Sequence, residues 1–541
     1  MRLPKLRQLT AAQKDVYLYA PTDRHVLVHG PPGTGKTLIA CLRAIELQKK
    51  NVPVVLGMFN QVLAKYSSNA SDGSSLPSQT VLSWFRDWWN ASRIPPHPHS
   101  GKLCIEVPFE QKDRAKAAGA RWYPNEFRPW GRRRGVWMVD PDLYFANPAR
   151  FGDWRIWHAP PSLPEKPDSL DWEAVSVHLL EHEADLDADA LNVGSLLIDE
   201  GQDFPPAFYR TLRFISAVGS ARPVEHPLKC LVLADENQKL TEENSTLEEI
   251  ARELRIAEGD RFLLLDNFRN TKEVAELARR FFADVGVLPH LPTRSGPKPT
   301  FALLGRSEIV NRIRTWLVNN PGKEAGVLVF SEEDRDSLVT LIREKCENLK
   351  GRHVTVQTYS WNSRRINPAK DLVFDTPDVV TVLNMQSCKG LEFDAVFILD
   401  LSHAQISRIG PDRFKMQMFV AVSRSREWVG LLDSGKGAAS APYVELLPDE
   451  RYLERESQLE RAAQSAGDAT LLSEPKETLA VRKDEGWETR LKQFAKSGKL
   501  KLQDKRPKGG VLWVEDERGV EDLVRPLGFQ YSAKQSAWWR K

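Results

Sequence analysis

"HVLVHGPPGTGKTLIA" occupies residues 25–40 and divides into three parts. Residues 25–29 alternate in the manner of a strand. Gly30 to Thr37 then fit the pattern G-x-x-x-x-G-K-[ST], and Leu38, Cys41, Leu42, Ile45 and Leu47 follow at helical spacing. Strand, glycine loop and helix form the context this motif requires. Glycines let backbone N–H groups close on phosphate oxygens, and the helix N-terminus adds its positive dipole end. Gly30, Gly33, Thr34 and Gly35 are therefore a candidate phosphate cradle. Lys36 would reach the β- and γ-phosphates and Thr37 would hold Mg2+. A chance glycine turn is the plain alternative, and the flanking pattern argues against it.

A second stretch, "SLLIDEGQDF" (195–204), runs from a short apolar segment into Asp199 and Glu200. Such a segment reads as a buried strand, and open parallel sheets place ligands at the ends of their strands. Two adjacent carboxylates there repel unless a cation or a reaction uses them. With a phosphate loop in the same chain, Asp199 is the expected Mg2+ ligand. Glu200 is the expected base for the attacking water. The alternative is a solvated strand end.

The 541 residues have room for several domains, and 41% hydrophobic with 28% charged residues is ordinary for a globular chain. A net charge of +3 does not by itself announce a nucleic-acid binder, so any such surface must come from local clustering. Five scattered cysteines without a C-x-x-C pair favour reduced thiols over a disulfide framework or a zinc site. No apolar run is long enough for a membrane span and "MRLPKLRQLT" lacks the apolar core of a signal peptide, so the expected location is cytoplasmic. Sixteen tryptophans are unusual: nine lie from Trp84 to Trp172 and four from Trp487 to Trp539, which marks compositional boundaries.

Around the two motifs stands an ordered series: "LTAAQ" (9–13), "MFNQVLA" (58–64), "TVLSWF" (80–85), "DEGQDF" (199–204), "LVLADENQ" (231–238), "LDNFRN" (265–270), "NMQSCKGLEFDAVFIL" (384–399) and "FVAVSRSREW" (419–428). In order and content the series resembles the superfamily-one DNA helicases of the UvrD/Rep type, over roughly residues 5–90 and 190–433. The resemblance implies an α/β fold of two RecA-like parallel-sheet lobes, a P-loop NTPase with ATP and Mg2+ between the lobes. It implies that Gln13 reads adenine, that Gln238 senses the γ-phosphate, and that Arg269 and Arg424 stabilise the transferring phosphate from opposite sides. Gly390 and Glu392 match the motif that touches nucleotide and strand. Phe59, Asn60, Thr80 and Ser83 match motifs that contact single-stranded DNA. Phe59 and Trp84 could equally be core residues. Ala234 stands where the family has glycine, and Asn384 and Gln386 replace its usual Thr and His. "KLTEENSTLEEI" after Gln238 lacks the aromatic residues that stack bases in the family.

The implied layout is a first lobe in two parts (1–89 and 174–270), a second lobe (271–435), a charged helix and polar linker (436–510) and a C-terminal tryptophan-rich module (511–541). The accessory subdomain that the family often inserts between Arg269 and Lys389 is expected to be absent, because the segments there already read as strand, helix, strand, helix. Residues 90–173 form a small α+β insertion. Its stretch 112–134 holds eight basic residues, Arg132, Arg133 and Arg134 among them, against Asp113 and Glu126, with Trp122 and Trp130 interleaved and Trp137 just beyond. Arginine with interleaved tryptophan can neutralise phosphates and stack bases. A tryptophan-filled core with solvated arginines, or a protein-docking surface, remains the alternative. Residues 520–539 can be laid on 113–130 as a degenerate second copy, with Gly119 on Gly528 and Trp130 near Trp538.

The reading is an ATP-dependent translocase and helicase acting on single-stranded DNA and duplex junctions, 3′→5′ by resemblance, without membrane association. Two alternatives stand beside it: a DNA-dependent ATPase that strips proteins, and a nucleotide-gated subunit of a repair or phage-defence complex that unwinds little. RNA as the track is a third open point.

Overall fold

The computed structural model describes residues 9–58, 78–131, 133–236, 244–283, 286–349, 351–360, 367–368, 371–374, 376–435 and 441–456, and four strands between 502 and 540. Two compact units result, residues 1–460 and 461–541.

Two parallel sheets with flanking helices organise the first unit. In one sheet the strand order is Arg261–Leu263, Val26–His29, Lys229–Ala234, Ser195–Ile198, Val54–Met58 and Ser78–Thr80, all parallel. The other runs Thr355–Tyr359, Val379–Asn384, Glu324–Val329, Phe393–Leu399, Ser425–Asp433, Thr300–Leu303 and Glu454–Arg455, again all parallel. Central strands are apolar without alternation, as burial on both faces requires. All of Ser195–Ile198 is buried, and so is all of Glu324–Val329. No accessory subdomain interrupts the described residues between Arg269 and Lys389. The Arg306–Asn319 and Glu332–Cys346 helices and their strands complete the second sheet.

Why the tryptophans crowd near residue 88 is visible in the Val81–Ala91 helix. Thr80 caps it by accepting from Ser83 N at 3.1 Å. Val81, Trp84, Phe85, Trp88 and Trp89 share one face, and all five are buried. Phe85 lies 4.8 Å from Trp172, which lies 4.9 Å from Phe208. Trp84 and Trp172 therefore belong to the core over the first sheet. Trp84 is thus a core residue, and Trp172 packs in the same core.

The insertion is an antiparallel sheet ordered Arg121–Phe127, Arg134–Val139, Leu103–Glu106 and Arg155–Trp157. It has its own small core of Ile105, Ala115, Ala118, Trp137, Phe151 and Trp154. His158 fastens it to the Val81–Ala91 helix and the segment after it: Trp89 Nε1 donates to its Nδ1 at 3.2 Å, and its Nε2 meets Ile94 O at 2.9 Å. Burial lowers the His158 pKa to about 4, so the ring serves as a neutral bridge.

Two expectations need correcting. The charge pattern of 449–467 predicts a helix, yet residues 449–453 turn and Glu454–Arg455 join the edge of the second sheet beside Thr300–Phe301, while 457–467 lie outside the described residues. An open sheet edge offers unpaired backbone groups: Glu454 N donates to Pro299 O and Glu456 N to Phe301 O. The C-terminal sheet also begins earlier than residue 511, with Leu502–Asp504 antiparallel to Leu512–Glu515.

That sheet repeats the pairing of the insertion. Ile105↔Trp137 and Trp122↔Trp137 in the insertion correspond to Val514↔Trp538 and Tyr531↔Trp538 in the C-terminal unit. Glu106 to Gly119 and Glu515 to Gly528 are both thirteen residues apart in sequence. Trp538 is thus the counterpart of Trp137, rather than of Trp130. The fourth strand sits on the same edge in both sheets, but it follows the others in the insertion and precedes them in the C-terminal unit.

Candidate active site

Residues Gly30–Gly35 link the Val26–His29 strand to the Lys36–Lys49 helix in a conformation that needs glycine. Gly33 and Gly35 have φ of +84° and +83°. A Cβ on Gly30 would strike the Leu264 carbonyl, and one on Gly33 would lie 2.5 Å from Asn267 Oδ1. Gln13, in a capping box with Thr10, donates through Nε2 to Thr34 O at 3.0 Å and so touches the loop. Thr34 donates to Pro31 O at 3.0 Å. Lys36 is buried, and its Nζ donates to Gly30 O at 2.5 Å and Pro31 O at 3.1 Å, with Asp235 Oδ2 at 3.9 Å. Thr37 Oγ1 donates to Asp199 Oδ2 at 2.6 Å, joining the loop's helix to the acid-bearing strand.

Asp199 and Glu200 leave their strand between its two parallel neighbours. Burial, and then the charge of Glu200, push the Asp199 carboxyl up to about 6. Burial acts on Glu200 in the same sense, but Lys389, Arg424 and Lys36 together outweigh it and hold its pKa below the usual value. Glu200 is therefore a carboxylate at neutral pH. Its backbone is left-handed at φ +54°, a costly state for a non-glycine residue. Gln202 fixes the side chain: Nε2 donates to Glu200 Oε2 at 2.7 Å while Oε1 accepts from Asp235 N at 2.9 Å.

The second sheet closes the site. Arg269 Nη2 pairs with Glu392 Oε1 at 2.6 Å and Nη1 donates to Ser423 O at 3.2 Å. Its buried Nε has no hydrogen-bond partner among the described residues. Arg424 is buried, donates through Nε to Val420 O at 3.0 Å, and is electrostatically coupled to Glu200 and Glu392. Burial raises the Glu392 pKa, but Arg269 and Arg426 outweigh it and bring it to about 2. Gly390, at φ +79°, lies in the turn leading to Glu392. Beside the phosphate loop, where the residues of the two sheets face each other, lies a cleft of about 590 Å³, bordered by Gly33, Gly35, Phe268, Arg269, Glu392 and Arg426.

Several contributors were not singled out from sequence. Phe268 is exposed at the cleft, offering a flat ring next to the phosphate loop. Lys389 spans the seam to Asp203, at 2.5 and 2.7 Å from its two oxygens. Gln202 and Asp203 stood inside the quoted D-E-G-Q-D run, but their partners are remote in sequence.

The described residues expected to contact DNA stand outside this cleft's lining. Thr80 caps the Val81–Ala91 helix by accepting from the backbone N–H of Ser83. Arg133 and Arg134 lie in the insertion, Arg134 over the Phe127 ring at 5.0 Å. Phe59, Asn60, Arg132 and Gln238 lie outside the described residues. All five cysteines are buried and unpaired, and no described helix is long and apolar enough to cross a membrane.

No family model and no curated protein matches the chain. Among solved structures it is similar to the C-terminal domain of a protein described as a possible DNA helicase from Lactobacillus plantarum WCFS1. That likeness covers 35% of this chain and 99% of the other, at 14% identity and a TM-score of 0.25. It is also similar to a DUF1998 helicase, MrfA, bound to DNA, over 81% of this chain and 51% of the other, at 9% identity and a TM-score of 0.36. The chain thus spans about half the length of MrfA. Likenesses this distant carry no assignment.

Proposed function

We propose that the chain is an ATP-dependent motor of the UvrD/Rep type, with two RecA-like lobes that move along single-stranded DNA. One observation carries the reading. A glycine loop, Lys36, Thr37, Asp199 and Glu200 gather at the strand ends of one parallel sheet, the cleft beside that loop is bordered by Gly33, Gly35, Arg269 and Glu392, and the charge of Arg424 acts on Glu200. The unpartnered Nε of Arg269 is a buried donor beside that cleft, which suits an anionic oxygen.

The residues present fit ATP and Mg2+. Backbone N–H groups of Gly33–Lys36 and the helix N-terminus would hold the phosphates, and Gln13 and Phe268 would face the base. Thr37 and Asp199, both oxygen donors, suit a hard cation, which would offset phosphate charge. Lys36, held by loop carbonyls, would turn outward to the phosphates. Glu200, ionised and aimed by Gln202, would take a proton from the attacking water. Arg269 and Arg424 would stabilise charge on the transferring group. Because Arg269 and Lys389 both join the lobes, occupation of the cleft and lobe closure would be coupled.

Glu200→Gln should retain ATP binding and lose hydrolysis by roughly 10²–10⁴-fold. Near-normal turnover in that variant would remove Glu200 as the base. ATPase rates with no strand, single-stranded DNA and RNA identify the track, and 3′- against 5′-tailed duplexes give the direction. The absence of aromatics in "KLTEENSTLEEI" favours a second reading, a strand-stimulated ATPase that displaces proteins and unwinds poorly. A duplex-unwinding assay separates the two.

A further inference from the structure

The insertion carries a second cleft, of about 370 Å³, made by residues that the motor reading leaves unused. Trp122, Trp130, Trp137, Arg128, Gly135 and Glu106 are among its walls. Its floor is built on purpose: Gly135 has φ +91°, and a Cβ there would lie 2.4 Å from an atom of the Trp122 indole. Glycine at that position lets Trp122 lie across the neighbouring strand, 5.4 Å from Trp137. Trp130 lies 5.3 Å from Trp157.

The Arg121–Phe127 strand is paired on one side and exposes all seven of its side chains. Trp122 is 45% exposed and Phe127 59% exposed, an aromatic surface that folding leaves in water. Charge on the hairpin differs from charge on the elements around it. Lys102, Arg114 and Lys116 pair with Glu126, Asp153 and Asp113. Arg121, Arg128, Arg133 and Arg134 have no carboxylate within ion-pair distance among the described residues. Arg128 donates one N–H to Gly135 O at 2.7 Å, and this bond anchors the guanidinium at the cleft wall.

Exposed indole faces flanked by uncompensated guanidinium groups complement a chain that alternates flat rings with negative charges. We propose that this cleft stacks an unpaired nucleobase of a single strand against Trp122, with the hairpin arginines facing the flanking phosphates. A cleft of this volume falls within the usual range for small-ligand sites. The proposal rests on the motor reading only in taking DNA as the probe. It assigns the insertion a strand-holding role separate from the ATP cleft.

The test uses the full chain without nucleotide and measures anisotropy of fluorescein-labelled oligo(dT) and of an abasic strand of equal length. Wild type should prefer oligo(dT). Trp122→Ala should weaken oligo(dT) about tenfold and leave the abasic strand unchanged, while Trp122→Phe keeps most of the affinity. Arg121→Ala with Arg133→Ala should weaken both strands and lower the log–log salt slope by about 1.4, roughly 0.7 for each phosphate contact on a single strand. Photocrosslinks from a 5-iododeoxyuridine strand should map to the peptide containing Trp122. Should Trp122→Ala fail to fold, Trp130→Leu probes the same cleft. A folded Trp122→Ala that binds oligo(dT) as wild type does, with no crosslink at Trp122, overturns the proposal and leaves the patch to an acidic protein partner. If that happens while DNA still stimulates ATP hydrolysis, the motor reading survives alone. If the Trp122 effect holds but no strand stimulates hydrolysis, the base site survives and the motor reading falls.

Discussion

Replacing Lys389 by methionine removes the cation that crosses the seam to Asp203. Both side chains are almost fully buried, at 6% and 4% exposure, so solvent screens the pair little. Burial already pushes the Asp203 carboxyl up to about 6 even with Lys389 in place. Without the ammonium, and with Glu200 nearby, the carboxyl stays protonated to higher pH. A group whose folded pKa lies above its unfolded value loses stability as pH rises between the two values, by about 1.4 kcal/mol per unit. Wild type completes that loss near pH 6, whereas the variant continues to lose. By pH 8 the gap should reach about 3 kcal/mol, the lower end of the roughly 3–5 kcal/mol expected for breaking a buried pair. Urea denaturation at pH 5.5 and pH 8 reads the difference. Adding Asp203→Asn should recover most of the loss at pH 8. Equal destabilisation at both pH values, or additive single and double variants, would refute the reasoning.

Glu392→Gln tests the depressed carboxyl beside Arg269. Its stabilisation is complete above about pH 4.5 and is lost as pH falls towards 2, so the wild-type urea midpoint should fall more steeply than the variant's between pH 5 and 3. Parallel midpoints in the two proteins would remove Arg269 and Arg426 as the cause. Gly194→Ala places a side chain at φ +72° against the Pro53 carbonyl. It should cost at least about 1–2 kcal/mol in thermal or urea unfolding while leaving ATP hydrolysis per folded molecule unchanged. A neutral substitution would show that the backbone there relaxes.

Some of this protein was fixed by local chemistry alone. Val26–Lys49 is a contiguous strand, loop and helix, and the left-handed angles at Gly33 and Gly35 favour glycine whatever packs against them, whereas Gly30 is required by the distant Leu264 carbonyl. The burial of Ser195–Ile198 follows from four consecutive residues, and the strands and helices of 300–346 follow from their own periodicity. Long-range partnership is different, because no spacing rule links Lys389 to Asp203 or His158 to Trp89. Thr80 also shows the limit: its match to a strand-binding motif is a sequence property, while its observed bond is a helix cap. Charge pattern suggested a helix from Asp449, but the free backbone groups beside Thr300–Phe301 captured Glu454–Arg455 as an edge strand. In the C-terminal unit, sequence alone set Trp538 beside Trp130, whereas cross-strand register sets it on Trp137. A hairpin loop can change length without moving the strands it joins, so hydrogen-bond register preserves a correspondence that linear alignment misplaces.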